Sequence, residues 1–380
     1  MRKGWTQTKL EDVLSLEYGK SLTEQNRDGK GFPVYGSAGV VGFHSEPLIQ
    51  DSPVIIVGRK GTAGAVYLSE TPCFVIDTAY FVQTKKVINV RFLYLVLLEI
   101  DLKSVTAQTG VPGLNRDRAY GLCFQLPPLH EQERIVDLIS SVDSYIDALL
   151  HQAENARKSR SAVLHEMLSA GGDGWHRDQL GNLLKINRGG SPRPIRKYIT
   201  DDPDGINWVK IADATASTKF IYETKQKILS SGVERSRPVK WGDFILSNSM
   251  SYGRPYIMRT DGAIHDGWLL LSEVEKNFDE DFLYNLLLSD SVQKQFDSLS
   301  AGSGVQNLNI DVVKKVEVRI PNVAIQRNIS RVLNEFDVFL LRAENLILHS
   351  RELRSGLLSD LLSGEYEIPA SYDKVMAVAI

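Results

Sequence analysis

With 380 residues, 43% of them hydrophobic, the chain can bury more than one core, and its length predicts two or three domains. No apolar run reaches the roughly 18 residues needed to cross a bilayer. The opening Met1-Arg2-Lys3-Gly4-Trp5 leads into polar sequence instead of a signal-peptide core, so the expectation is a cytoplasmic protein with no membrane partner. Two distant cysteines, Cys73 and Cys123, exclude a disulfide framework or a cysteine-rich zinc site and read as small buried hydrophobes.

In chain order, residues 1–126 read as a β-rich module. Short apolar runs such as Pro53-Val54-Ile55-Ile56-Val57 alternate with Gly, Pro, Asn and Ser clusters, and one short helix falls near 91–102. Residues 127–171 hold a long helix, 130–169, that spans on the order of 60 Å at about 1.5 Å per residue. A second β-rich module covers 172–320, with Asp243-Phe244-Ile245-Leu246 as a strand and a helix near 281–296. A second long helix covers 321–364, and 365–380 form a C-terminal tail. The net charge of −3 is divided unevenly: residues 1–126 carry 14 basic and 12 acidic groups, and residues 173–320 carry 20 of each, so charge permits binding to DNA without arguing for it.

The two halves are copies. A shift of 194 places Gly110-Val111, Leu114-Asn115 and Asp117 on Gly304-Val305, Leu308-Asn309 and Asp311. The same shift places Pro127, Gln132, Ile135, Asp143, Arg160 and Leu164 on Pro321, Gln326, Ile329, Asp337, Arg354 and Leu358. Upstream the offset falls to 190 (Phe92-Leu93-Tyr94 on Phe282-Leu283-Tyr284) and then to 170 (Trp5, Leu10 and Leu14 on Trp175, Leu180 and Leu184). The second module therefore carries about 24 extra residues.

Stepping by fours and threes from Ile135 gives Ile139, Val142, Ile146, Leu149, Ala153, Ala156, Arg160, Val163 and Met167. From Ile329 the same walk gives Leu333, Phe336, Leu340, Ala343, Ile347, Ser350, Arg354, Leu357 and Leu361. The predicted fold class is α+β: two β-rich modules in tandem, joined by two long helices packed as an antiparallel coiled coil. Arg160 and Arg354 fall in the same slot of the two seams, where they either carry their heads out to solvent or fix the register as polar residues.

Motifs for catalysis are sparse. Gly19-Lys20-Ser21 resembles the end of a P-loop, but Leu14 stands where the first glycine belongs. No methyltransferase motif and no histidine spacing for a metal occur, so no cofactor or metal is expected in this chain. The alternative is a self-contained Mg-dependent nuclease built on Asp204, Glu223 and Lys225. That pattern is short, lies in the turn-rich extra part of the second copy and has no equivalent in the first, so the chain is read as non-catalytic.

The residues resemble those of specificity subunits of type I restriction-modification systems. The resemblance is carried by residues 32–42 (Phe32-Pro33-Val34-Tyr35-Gly36 onward), by Gly61-Thr62-Ala63-Gly64 and by Leu126-Pro127-Pro128-Leu129-His130-Glu131-Gln132. Gly189-Gly190-Ser191-Pro192-Arg193-Pro194 and Asn207-Trp208-Val209 carry it in the second copy. It implies two target recognition domains, each reading half of a split double-stranded DNA target, with the helices setting the spacer. It also implies two methyltransferase subunits that use S-adenosylmethionine to methylate adenine, and motor-nuclease subunits that use ATP and Mg. The methyltransferases would dock at the helix starts through Leu129, Glu131, Gln132 and Gln326, although Ile320-Pro321-Asn322-Val323-Ala324-Ile325-Gln326 lacks the second proline and the glutamate of the first copy.

For DNA contact the candidates are Arg59 and Lys60, a basic pair beside Gly61, and Arg116 and Arg118 after the Gly110 turn. The densest basic cluster adds Arg188, Arg193, Arg196, Lys197 and Tyr198.

Overall fold

In a computed structural model, residues 2–106, 113–172, 174–248, 252–300 and 308–376 are described. The turns singled out at Gly110-Val111 and Gly302-Ser303-Gly304 lie outside them. Two compact units emerge: one of residues 1–151 with 344–380, the other of residues 152–343. Each therefore contains one β-rich module with part of both long helices.

In the first unit an antiparallel sheet runs in the order Leu14–Tyr18, Ala79–Thr84, Val54–Gly58, Val66–Ser69. Val54–Gly58 is buried along its whole length, as expected of a central strand read as an unbroken apolar run. A smaller sheet orders Gly39–His44, Phe32–Gly36 and Phe74–Val75. Thr6–Lys9 pairs with Cys123–Leu126, which brings the module's ends together before the long helix begins. Cys73 is buried, and burial pushes its thiol up to about 11. Cys123 is instead exposed at the first position of its strand in this two-stranded ribbon, contrary to the buried reading, because no second layer covers that end.

The second unit repeats the plan with additions. Its main sheet orders Lys185–Arg188, Trp268–Ser272, Phe244–Ser247, Pro255–Met258 and Phe220–Ile221. The second sheet has five strands instead of three: Ile199–Thr200, Lys227–Ile228, Ile206–Val209, Gly262–Ile264 and Arg237–Val239. The extra residues of this copy build part of that sheet and close a small core of Trp208, Ile228 and Ala263. The expected helix near 281–296 is two helices, Glu280–Leu288 and Asp290–Ser300. The break falls at Ser289, whose hydroxyl donates to the Leu286 carbonyl at 2.6 Å, the side-chain competition that makes serine a helix terminator.

The long helices are Leu129–Ala170 and Val323–Ser363. In the first unit Ile135, Val136 and Ile139 of one share a core with Leu358 and Leu361 of the other; in the second unit Leu164 shares one with Ile329 and Leu333. The start of each helix thus packs against the end of its partner, and the pair is antiparallel. The seam arginines are ion-paired across it. Arg160 meets Asp337, with Nη2 at 2.9 Å from Oδ2, and Arg354 meets Asp143, also at 2.9 Å. Both are two-pronged pairs, so the arginine heads are paired across the seam and do not run free into solvent.

Each helix is joined to its module by a buried glutamine. Gln132 Nε2 donates to the Pro127 carbonyl at 2.9 Å, while its Oε1 accepts the N–H of Asn89 at 2.9 Å. Gln326 makes the same two bonds, to Pro321 at 2.9 Å and from Asp279 at 2.8 Å, and adds the Asn277 carbonyl at 3.0 Å. Asn89 and Asp279 are the N-caps of Val90–Glu99 and Glu280–Leu288, so one side chain ties the long helix to the capped end of a short one.

Candidate nucleic-acid interface

The two main sheets end in the same lattice of main-chain hydrogen bonds. In the first unit Gly19 N–H donates to Ala79, Arg59 N–H to Thr78 at 2.9 Å, Gly64 N–H to Gly58 at 2.8 Å and Leu114 N–H to Arg59 at 2.9 Å. In the second, Gly189 N–H donates to Trp268, Asn248 N–H to Gly267 at 3.1 Å, Gly253 N–H to Ser247 at 2.9 Å and Leu308 N–H to Asn248 at 3.0 Å. The glycines are required. A Cβ on Gly19 would lie 2.3 Å from the Ile76 carbonyl, and one on Gly189 would lie 1.9 Å from that of His265. Gly64 and Gly253 have φ of 80° and 75°. Gly19 of the P-loop-like tripeptide is thereby an architectural glycine.

On this frame the first unit carries a cationic aromatic stack. Tyr18, half exposed at the end of its strand, packs edge-on against Tyr80 at 5.1 Å. The Arg59 guanidinium lies 4.8 Å from the Tyr18 ring centre and that of Arg116 5.4 Å from it. Arg59 is anchored by an Nη1 bond to the Asp77 carbonyl at 2.7 Å, whereas Arg116 lies over the rings of Tyr18 and Tyr120. Among the described residues no carboxylate pairs with either. Lys60 bridges through its backbone to Gly113, and Arg59 and Arg116, distant in sequence, meet on the Tyr18 ring. Lys60 and Arg118 are exposed.

In the second unit the slot of Tyr18 is filled by Arg188, exposed at its strand end, with Nε at 3.4 Å from the Asp266 carbonyl. Asn248 takes the place of Arg59. It is buried, and its Nδ2 donates to that same carbonyl at 2.8 Å. Ser191 Oγ donates to the Asp266 carboxylate at 2.6 Å, and this bond holds the acid below the usual carboxylate range. Arg193 stands 3.6 Å from the same carboxylate. Arg193 and Arg196 line an open, largely apolar cleft of about 1150 Å³ with Pro192, Ile195, Trp208 and His265. Lys197 is exposed beside it. Tyr198 packs its ring against the small core and within 3.1 Å of where a Gly232 Cβ would sit, so it supports the basic loop from beneath. Tyr18 was not singled out from sequence, although the offset of 170 places it on Arg188.

The residues assigned to partner docking separate. Leu129 is 42% exposed at the first turn of its helix. Gln132 and Gln326 are buried and hydrogen-bonded within the chain, which makes them joints of the fold. Glu131 is buried as well, accepting from Arg134 at 3.0 Å with Arg2 at 3.5 Å. Arg134 in turn donates to the carbonyls of Ile368 and Pro369, so the tail lies over the start of the first helix.

Asp204 sits in a turn, where its N–H donates to the Asp202 carboxylate, while Glu223 and Lys225 line a separate hollow with Asp213, so the three are not brought together. Among the described residues no group of three His, Cys, Asp or Glu side chains could hold a metal ion, and no helix is long and apolar enough to cross a membrane.

The fold has known counterparts. The type I restriction-modification specificity subunit MjaVIII of Methanocaldococcus jannaschii is 22% identical over 94% of this chain and 88% of its own length. The crystal structure of the S subunit from M. genitalium superposes with a TM-score of 0.57 at 15% identity, covering 96% of this chain and 97% of that one. A chain from a study of assembly and conformational transition in the type I system reaches 0.66, at 15% identity and 96% and 99% coverage. The family model described as type I restriction modification DNA specificity domain matches residues 2–157 and again 172–348, which covers both copies, so the chain belongs to that family, with two specificity domains in tandem.

Proposed function

We propose that this chain is the DNA-recognition subunit of a type I restriction-modification complex. Each module reads one half of a bipartite duplex target, and the paired helices set the spacer between the halves. The observation that carries this reading is the frame: one main-chain lattice is built twice and dressed with different cationic side chains, half-buried Arg59 and Arg116 on Tyr18 in one unit and exposed Arg188 with Arg193 in the other. A repeated scaffold with unlike contact residues suits two unlike half-targets.

In this reading the chain has no reaction of its own. Methyltransferase subunits, using S-adenosylmethionine, and motor-nuclease subunits, using ATP and Mg, supply the chemistry in the cytoplasm, and exposed Leu129 offers one docking contact. Among the sequence candidates Arg59, Lys60, Arg116, Arg118, Arg188, Arg193, Arg196 and Lys197 make the DNA surface, with Tyr198 as a support. The test is enrichment of randomised duplex DNA by the full chain with its methyltransferase subunits. A consensus split by a fixed spacer is expected, and exchange of residues 1–126 for those of a relative should alter one half only. A contiguous consensus, or none, would refute the reading.

A further inference from the structure

Resting on that reading, we infer that base choice is set on the shared frame by one arginine fork in each module, Arg116 in the first and Arg188 in the second, and that each reads the major-groove edge of a guanine. The frame is made of main-chain bonds and asks only for its glycines, Gly19 and Gly64 in one module and Gly189 and Gly253 in the other, so both modules share it while the other side chains on it differ. What differs is the side chain at the end of the first sheet strand. In one module it is Tyr18, whose ring supports the Arg116 guanidinium; in the other it is Arg188 itself.

The surrounding residues divide into readers and supports. The guanidinium of Arg59 donates to the Asp77 carbonyl, and the Asn248 amide donates to the equivalent Asp266 carbonyl. Both are positioning residues. Arg116 is oriented by two aromatic faces, with centroid distances of 5.4 and 5.9 Å, and no carboxylate among the described residues occupies its donors. Among the described residues the Arg188 side chain is held only through Nε, at 3.4 Å, and neither terminal nitrogen has a partner there. A planar fork with parallel N–H groups fits the O6 and N7 acceptors of guanine, and no other base offers that pair of acceptors in the major groove. The two rings orient the Arg116 fork and the Nε contact leans the Arg188 fork on the frame, and such orientation in advance suits a reading arginine better than one that follows a phosphate. The exposed cations Lys60 and Arg118 of the first module and Lys197 of the second supply attraction for the backbone.

The experiment is enrichment of randomised duplexes by the full chain with its methyltransferase subunits, comparing wild type with Arg188→Lys and Arg116→Lys. Lysine keeps the charge and removes the fork. Arg188→Lys should reduce the preference for one G·C pair in one half-target by about 5- to 150-fold, and leave the other half as it was. Arg116→Lys should do the same in the opposite half. The untouched half reports in each case that the chain is folded and bound. A uniform weakening on all sequences, unchanged preferences, or loss of both halves from one substitution would overturn the assignment. A wild-type complex without a split consensus would instead remove the DNA-reading role itself, and the forks with it.

Discussion

Arg354 of the second long helix closes a two-pronged ion pair on Asp143 of the first, and the positions equivalent to these two, Arg160 and Asp337, form the same pair with the helices exchanged. Both arginine side chains are about a fifth exposed and their partners under half exposed, so each pair is partly screened. The Asp143 bond nonetheless raises the Arg354 guanidinium above its ordinary value. A double-mutant cycle on Asp143→Ala and Arg354→Ala, read by denaturant unfolding, should give a coupling of about 0.5–1 kcal/mol. Arg354→Asp with Asp143→Arg should recover part of what either change alone removes; no recovery would mean the arginines act only through their stems.

The buried glutamines predict an ordered pair of losses. Gln326 makes three hydrogen bonds and Gln132 two, all to backbone groups away from solvent. Gln326→Ala should cost about 1–3 kcal/mol, because it strands the Asp279 N–H and two carbonyls. Gln132→Ala should cost less. Equal or negligible losses in the unfolding midpoint would show that water replaces these bonds freely.

His265 predicts a dependence on pH. Burial is the main cause that holds its imidazole below the ordinary histidine value, with Lys210 acting in the same direction and Asp266 opposing. Its Nδ1 accepts the Gly267 N–H at 2.8 Å, a bond that protonation there removes. A group with a depressed folded pKa contributes stability that is complete above its unfolded value, near about 6.5, and is lost as pH falls through the folded one. Thermal unfolding should therefore show a midpoint that drops between pH 7 and 5, and His265→Gln should flatten that slope. An unchanged slope in the variant would assign the drop to other groups.

Lys60 and Arg118 are exposed, and neither has an ion-pair partner among the described residues. As phosphate contacts, Lys60→Ala and Arg118→Ala should each lower the salt dependence of DNA binding by about one unit of slope and weaken all sequences alike. A change in sequence preference from either would move that residue from backbone contact to base reading.

The duplication and the long helices were legible in sequence because they rest on periodicities: a constant offset, and apolar residues at alternating fours and threes. The ion pairs were half legible, since the offset of 194 maps Asp143 and Arg160 onto Asp337 and Arg354, but their pairing needs the antiparallel register. That Gln132 and Gln326, assigned to docking, tie each long helix to its own module was not legible. In a sequence, a polar residue near a helix start looks the same whether it faces a partner or is buried against the chain's own carbonyls. Cys123 and the break at Ser289 depend on whether a strand's end is covered and on one local hydroxyl bond, and neither leaves a periodic trace. Tyr18 was hidden because its role comes from Arg59 and Arg116, which are distant in sequence and meet only through the strand order.

The glutamine joints carry a consequence for how such a chain changes over evolutionary time. Gln132 and Gln326 grip main-chain N–H and carbonyl groups, and every residue except proline offers both. The joint is therefore indifferent to the amino acids of the module it holds. A module acquired by recombination needs only to present a capped helix end at the same place, as Asn89 and Asp279 both do with different side chains. A lineage can then replace what it recognises in one genetic step, while the helices, and whatever they support, remain as inherited.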